Sequence, residues 1–170
     1  VSHDFGAIVA AACLAHDLGN PPFGHAGEDA ISEFFVKNNF LTKNLSNKEV
    51  QDITHFEGNA QGFRILNKPH YQGLKLTVAT LAAFTKYPCE SNIKNRDPDR
   101  KSQKKYGFFQ SEQSVFQTLS EEVGLLKINK QKDELIWVRH PLTFLVEAAD
   151  DICYSIIDLE DACRLGLVSF

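Results

Sequence analysis

The 170-residue sequence has no methionine, one tryptophan and four cysteines, and each shortage excludes something. Cys13, Cys89, Cys153 and Cys163 include no CxxC pair, which removes a zinc-finger framework, and four scattered thiols do not make a disulfide scaffold. That usage favours the reducing cytoplasm. Cys13, Cys153 and Cys163 instead sit in helix-like apolar patterns, where a thiol acts as a small hydrophobe. With Val1 first and no methionine anywhere, the chain reads as an internal segment of a longer protein. Long apolar runs are also missing. The nine residues AIVAAACLA at 7–15 are too short to span a bilayer, and no basic segment precedes them as in a signal peptide. A basic excess is absent as well: 18 Lys and Arg face 22 Asp and Glu, for a net charge of -4 and a pI near 5.9. No broad face attracts nucleic acid, so a polyanionic ligand must be met locally and be small.

What remains is 43% hydrophobic and 24% charged, a composition that builds one globular domain over residues 1–170. Phe5, Ile8, Val9, Ala12, Cys13 and His16 recur at spacings of three and four, which predicts a first helix ending near Leu18. Asn20-Pro21-Pro22 and Gly24 break it, and a second helix opens near Ala26 with Ala30, Ile31, Phe34 and Phe35 as its buried stripe. Ser46-x-x-Glu49 has capping-box spacing. Residues 61–66 and 74–84 read as further helices, and a charged loop over 87–107 is expected to be mobile or functional. A helix from about Ser111 buries Phe116, Leu119 and Val123. LIWV at 135–138 could form a short strand, after which Pro141 suits the first turn of a long helix ending near Gly166. No βαβ alternation and no repeat appears, so the expected fold is all-α.

The densest chemistry lies in HDLGNPPFGHAGED, at 16–29. A hydrolytic metal site needs imidazole and carboxylate ligands with coordination positions left open, and His16-Asp17 supplies one of each. Such a dipeptide alone also caps helices or faces solvent. Asp150, inside the apolar run LVEAADDICYSIIDLED, raises the odds, because an aspartate there needs a partner or a metal unless it faces water. Asp150, Tyr154 and Asp158 follow at i, i+4 and i+8, a polar stripe on a helix whose other faces are apolar.

HDLGNPPFGHAGE, THFEGNAQGFRIL, LAAFTKYP and EAADDICYSIIDLEDA, in this order, closely resemble the deoxyguanosine triphosphate triphosphohydrolase (dNTPase) family of the HD superfamily. The resemblance touches nearly the whole chain. It implies an all-α HD-domain helical bundle around a divalent ion, Mn2+ or Mg2+, with three of four protein ligands at His16, Asp17 and Asp150. The family's first histidine ligand has no counterpart, and it is expected upstream of Val1. His3 cannot substitute, since thirteen residues of continuous helix separate it from His16 by about 20 Å.

The implied reaction removes all three phosphates of a deoxynucleoside triphosphate, dGTP foremost, by attack at the α-phosphorus, releasing deoxynucleoside and tripolyphosphate. By resemblance His25 is the catalytic acid-base residue, and Glu28, three residues on, would fix its tautomer. Lys86 and Lys105 match phosphate-contacting positions, and Asn59 is a further polar contact, although Gly58-Asn59 could be a helix break. Tyr154 would stack on the deoxyribose and Asp158 would accept from its 3′-hydroxyl. The resemblance also implies a homo-oligomer, commonly a hexamer, with a nucleotide or single-stranded DNA as effector and no membrane partner. Two alternatives stay open: another HD-type nucleotidase or phosphodiesterase, and a nucleotide-sensing module without turnover.

Overall fold

Helix α1 (Ser2–Ala15) stops where the chain reaches His16, and turns carry it to Gly24 before α2 (His25–Lys37) begins. The computed structural model describes residues 2–68, 74–128 and 133–168. Pro21 and Pro22 cannot donate to a helix, and Phe23 and Gly24 both take positive φ, 67° and 55°. Phe23 is the only non-glycine residue among those described to do so. The Glu28 amide then bonds the Gly24 carbonyl at 3.0 Å and starts α2.

This turn lies directly on α4 (Gly58–Asn67). A Cβ on Gly19 would overlap the Gly58 carbonyl oxygen and the Gly62 nitrogen, and one on Gly62 would come 2.8 Å from the Phe84 ring. Backbone touches backbone here, which only glycine permits.

The remaining helices are α3 (Asn47–Thr54), α5 (Val78–Phe84), α6 (Gln113–Glu122) and α7 (Thr143–Arg164). The Ser46 capping box forms as expected, with both reciprocal bonds to Glu49. Helix α5 starts later than the apolar pattern suggested because Thr77 caps it, its hydroxyl accepting from the Thr80 amide. Helix α1 packs on α5 and α7, and α2 on α3. The core between them holds Ala12, Phe63, Phe84 and Val146 together with Phe108, Phe116 and Trp137. Phe116 stacks on Phe108 at 4.5 Å and meets Trp137 edge-on at 5.2 Å.

A second cluster, with Ala60, Cys89, Tyr106 and Ile136, sits under the charged loop. That loop is anchored. Arg96 donates to the carbonyls of Ser91, Gln103 and Lys105, and the Tyr106 hydroxyl donates to the Asp52 carbonyl at 2.6 Å. Glu90, fully buried, accepts from Lys48, Gln110 and the Leu135 amide. Burial pushes the Asp52 carboxyl upward despite its bonds from the Gln110 amide and Ser91.

Several expectations are corrected. Residues 135–138 form no strand, only single antiparallel bridges, Cys89 to Ile136 and Lys127 to Trp137. Pro88, beside one of them, lacks the N–H that would extend a ladder. Pro141 precedes α7 instead of entering it. In α2 only Glu28 is buried, while Phe34 is 52% exposed, because α3 covers one side of the helix and the period does not say which. Cys89 is the buried thiol, and Cys153 is exposed. No helix among the described residues is long and apolar enough to cross a membrane.

Gly19→Ala drives a methyl into the α4 backbone and should cost about 1–3 kcal/mol, the scale of overpacking. Gly6, in α1, has open space where a Cβ would stand. Gly6→Ala should therefore stabilise by up to about 1 kcal/mol through helix propensity. Thermal unfolding of the full-length protein, followed by circular dichroism, should move in opposite directions for the two variants.

Candidate active site

His16 and Asp17 stand just past the C-terminal end of α1, beside α7. His16 Nδ1 lies 2.7 Å from the Cys13 carbonyl oxygen. A carbonyl only accepts, so Nδ1 carries the proton and Nε2 faces the site. Asp17 Oδ2 is 3.1 Å from Nε2 and Asp150 Oδ1 is 3.4 Å from it. Asn20 donates to the other Asp17 oxygen at 2.7 Å and fixes its orientation.

Each of these two separations from Nε2 is of the size found between neighbouring donors on one cation. Donors about 2.1 Å from one ion lie about 3.0 Å apart at octahedral and about 3.4 Å apart at tetrahedral angles. An imidazole nitrogen facing two carboxylates calls for positive charge among them, from an ion or from a second ring proton. Among the described residues no three such side chains enclose a ready-made ion site, so the trio is an open half-shell centred on His16. His3, 94% exposed and beside Asp4, takes no part in it.

The half-shell borders a cleft of about 210 Å3. His25, at the first position of α2, lines it with Glu28 one turn on. Lys86, Lys105, Asn59 and Tyr154 line it too. Asp158 does not: it lies one turn beyond Tyr154 on the exposed part of α7. That helix buries only Thr143 and Val146, so the polar stripe does not run along a core, and Tyr154 is 59% exposed. Gly58-Asn59 is the start of α4 and not a break.

Both lysines are already paired with carboxylates. Lys105 Nζ is 2.7 Å from Glu57 and 3.3 Å from Glu28, and Lys86 Nζ is 3.2 Å from Glu147. Burial pushes the Glu57 carboxyl up, against the pull of Lys105 and Asn59. Burial lowers the Lys105 ammonium, but its bond to Glu57 and the charges of Glu57 and Glu28 outweigh it, and its pKa is raised. Glu28 also accepts from the Gly58 amide at 2.7 Å. Its carboxylate thus ties α2 to α4 and to Lys105, and among the described residues no hydrogen bond joins it to His25. The sequence reading missed Asn20, Glu57 and Glu147. All three lie inside the quoted motifs, which is the signal that could have found them.

No family model matches the chain. Curated relatives do. The chain is 55% identical to a deoxyguanosinetriphosphate triphosphohydrolase-like protein of Synechocystis, over 98% of this chain and 40% of that protein. A protein of the same name from Pseudomonas aeruginosa is 44% identical over 98% of this chain and 38% of its own length. A deoxyguanosinetriphosphate triphosphohydrolase of Salmonella schwarzengrund is 37% identical over 97% of this chain and 36% of its own. The chain therefore spans about two fifths of the length of these relatives. Identity of this level along nearly every residue leaves one conclusion: the chain is a relative of the deoxyguanosinetriphosphate triphosphohydrolase-like proteins, matching about two fifths of their length.

Proposed function

We propose that the full-length protein hydrolyses a deoxynucleoside triphosphate, dGTP foremost, to deoxynucleoside and tripolyphosphate by attack at the α-phosphorus. The observation that carries this reading is convergence. Residues from both ends of the sequence and from its middle, His16, Asp17, His25, Glu28, Asn59, Lys86, Lys105, Asp150 and Tyr154, line one cleft.

His16, Asp17 and Asp150 are the residues here that would hold a divalent ion, Mn2+ or Mg2+, with a further ligand from another part of the protein. Such an ion supplies a polarised phosphoryl oxygen and a more acidic bound water. His25 stands where an imidazole can give a proton to the departing 5′-oxygen, a poor leaving group without one. Glu28 belongs to the same acid-base pair by position and, through Oε2, shares Lys105. Lys86 and Lys105 meet the phosphates, which compete with Glu147, Glu57 and Glu28 for them. Asn59 adds a polar contact, Tyr154 stacks on the sugar, and Asp158 reaches the 3′-hydroxyl once the ligand extends along α7. A cytoplasmic homo-oligomer, hexameric by the family pattern, with a nucleotide or single-stranded DNA as effector belongs to the same proposal.

Incubation of the full-length protein with dGTP and Mn2+ or Mg2+ should release tripolyphosphate and deoxyguanosine in equal amounts. Orthophosphate, or a linear dinucleotide from a cyclic substrate, would mark a different HD-type phosphohydrolase, and tight binding without product a sensing module. His25→Ala should lower turnover by about a hundredfold or more, with metal content and melting temperature nearly unchanged. Equal losses of folding and activity would make His25 a structural residue. Asp150→Asn should instead lose the ion, read by elemental analysis, before it loses the fold.

A further inference from the structure

Lys86 is held from two sides by one buried arginine. Its ammonium lies 3.2 Å from Glu147 Oε1, and the other oxygen of that carboxylate accepts from Arg139 Nη1 at 2.7 Å. Arg139 Nε donates to the Lys86 carbonyl at 2.8 Å. The Arg139 side chain is only 7% exposed, with its guanidinium 6.0 Å from the Tyr87 ring and 5.7 Å from that of Phe144. Arg139 thus fixes the backbone of Lys86 and the carboxylate that grips its amine. Its last nitrogen, Nη2, is buried and, among the described residues, has no hydrogen-bond partner. A buried donor left without an acceptor is costly, and its retention calls for a reason.

The geometry points to Arg139 as the positioning residue that releases Lys86 to a triphosphate. Nη1 and Nη2 form the end of a planar fork whose spacing matches the two oxygens of a carboxylate. When the Lys86 ammonium leaves Glu147 Oε1 for an incoming phosphate, Nη2 takes that oxygen. Glu147 then passes from a carboxylate shared by two cations to a bidentate pair with Arg139. Its charge is never stranded in a half-buried wall, so little holds Lys86 back. A lysine at 139 would keep the charge but has no second prong. The inference rests on the triphosphate reading of the cleft and adds how one of its cations is freed.

The test uses the full-length protein as wild type, Arg139→Lys, Glu147→Gln and the double variant. Calorimetry gives the Kd for inorganic tripolyphosphate, and steady-state assays give KM and kcat for dGTP. Arg139→Lys should raise Kd and KM about tenfold, the scale of one charge-assisted hydrogen bond, with kcat little changed. Glu147→Gln alone, which needs no exchange to free Lys86, should bind tripolyphosphate more tightly. In the double variant, where no carboxylate retains Lys86, most of the affinity lost in Arg139→Lys should return. A purely structural arginine would give a loss that Glu147→Gln deepens. Wild-type affinity in Arg139→Lys, weaker binding in Glu147→Gln, or no recovery in the double variant overturns the inference while the functional reading stands. A wild-type protein that neither binds tripolyphosphate nor turns over dGTP overturns that reading and the inference with it.

Discussion

Backbone meets backbone where Gly19 crosses the first turn of α4, and the site depends on that contact. Two chain segments can approach this closely only if neither carries a side chain at the crossing, and Gly19, Gly58 and Gly62 meet there. The crossing sets where α1 ends, and so where His16 and Asp17 point. It also brings the start of α4 against α2, so that the Gly58 amide bonds Glu28 and Asn59 enters the cleft. The prolines at 21 and 22 and the left-handed Phe23-Gly24 pair then turn the chain so that His25 opens α2 on the same side. The His16-Asp17 pair and His25, eight positions past Asp17, thereby share one cleft.

Charge is the second constraint. Asp17, Glu28, Glu147 and Asp150 line the cleft with only two lysines, Lys86 and Lys105, so it does not attract a triphosphate by net charge. Both lysines are pre-paired, which keeps them ordered but engaged. A polyanion must therefore displace carboxylates from lysines or arrive with cations of its own. The imidazole of His16, with its Nδ1 proton committed to the Cys13 carbonyl, presents a lone pair to the same space. Holding one ring nitrogen on a carbonyl fixes the direction of the other.

Much of this was legible in sequence, for definable reasons. The helix-loop-helix of the opening motif follows from proline, glycine and a period of three and four. The capping box at Ser46 specified its own helix end, and Asp150 stood out because an acid in an apolar run needs a partner. What the sequence hid were relations between segments. The exposed faces of α2 and α7 obey the same period as buried ones, so Phe34 and Ile152 look like core residues until their neighbours are placed. The bond from the Gly58 amide to Glu28 spans thirty residues, and the local spacing, which sets Glu28 beside His25, carries no sign of it. Glu147 stands inside the last quoted motif and Arg139 outside it, and their pairing arises only when α7 is laid beside the segment after α5.

On the proposed function, one cleft, organised by the Gly19 crossing, holds a divalent ion on His16, Asp17 and Asp150. Anomalous diffraction from crystals of the full-length protein grown with Mn2+ tests it directly. A single strong peak is expected about 2.0–2.3 Å from His16 Nε2 and from a carboxylate oxygen of each aspartate. A manganese peak elsewhere, or full occupancy of that position without contact to Asp150, would contradict it.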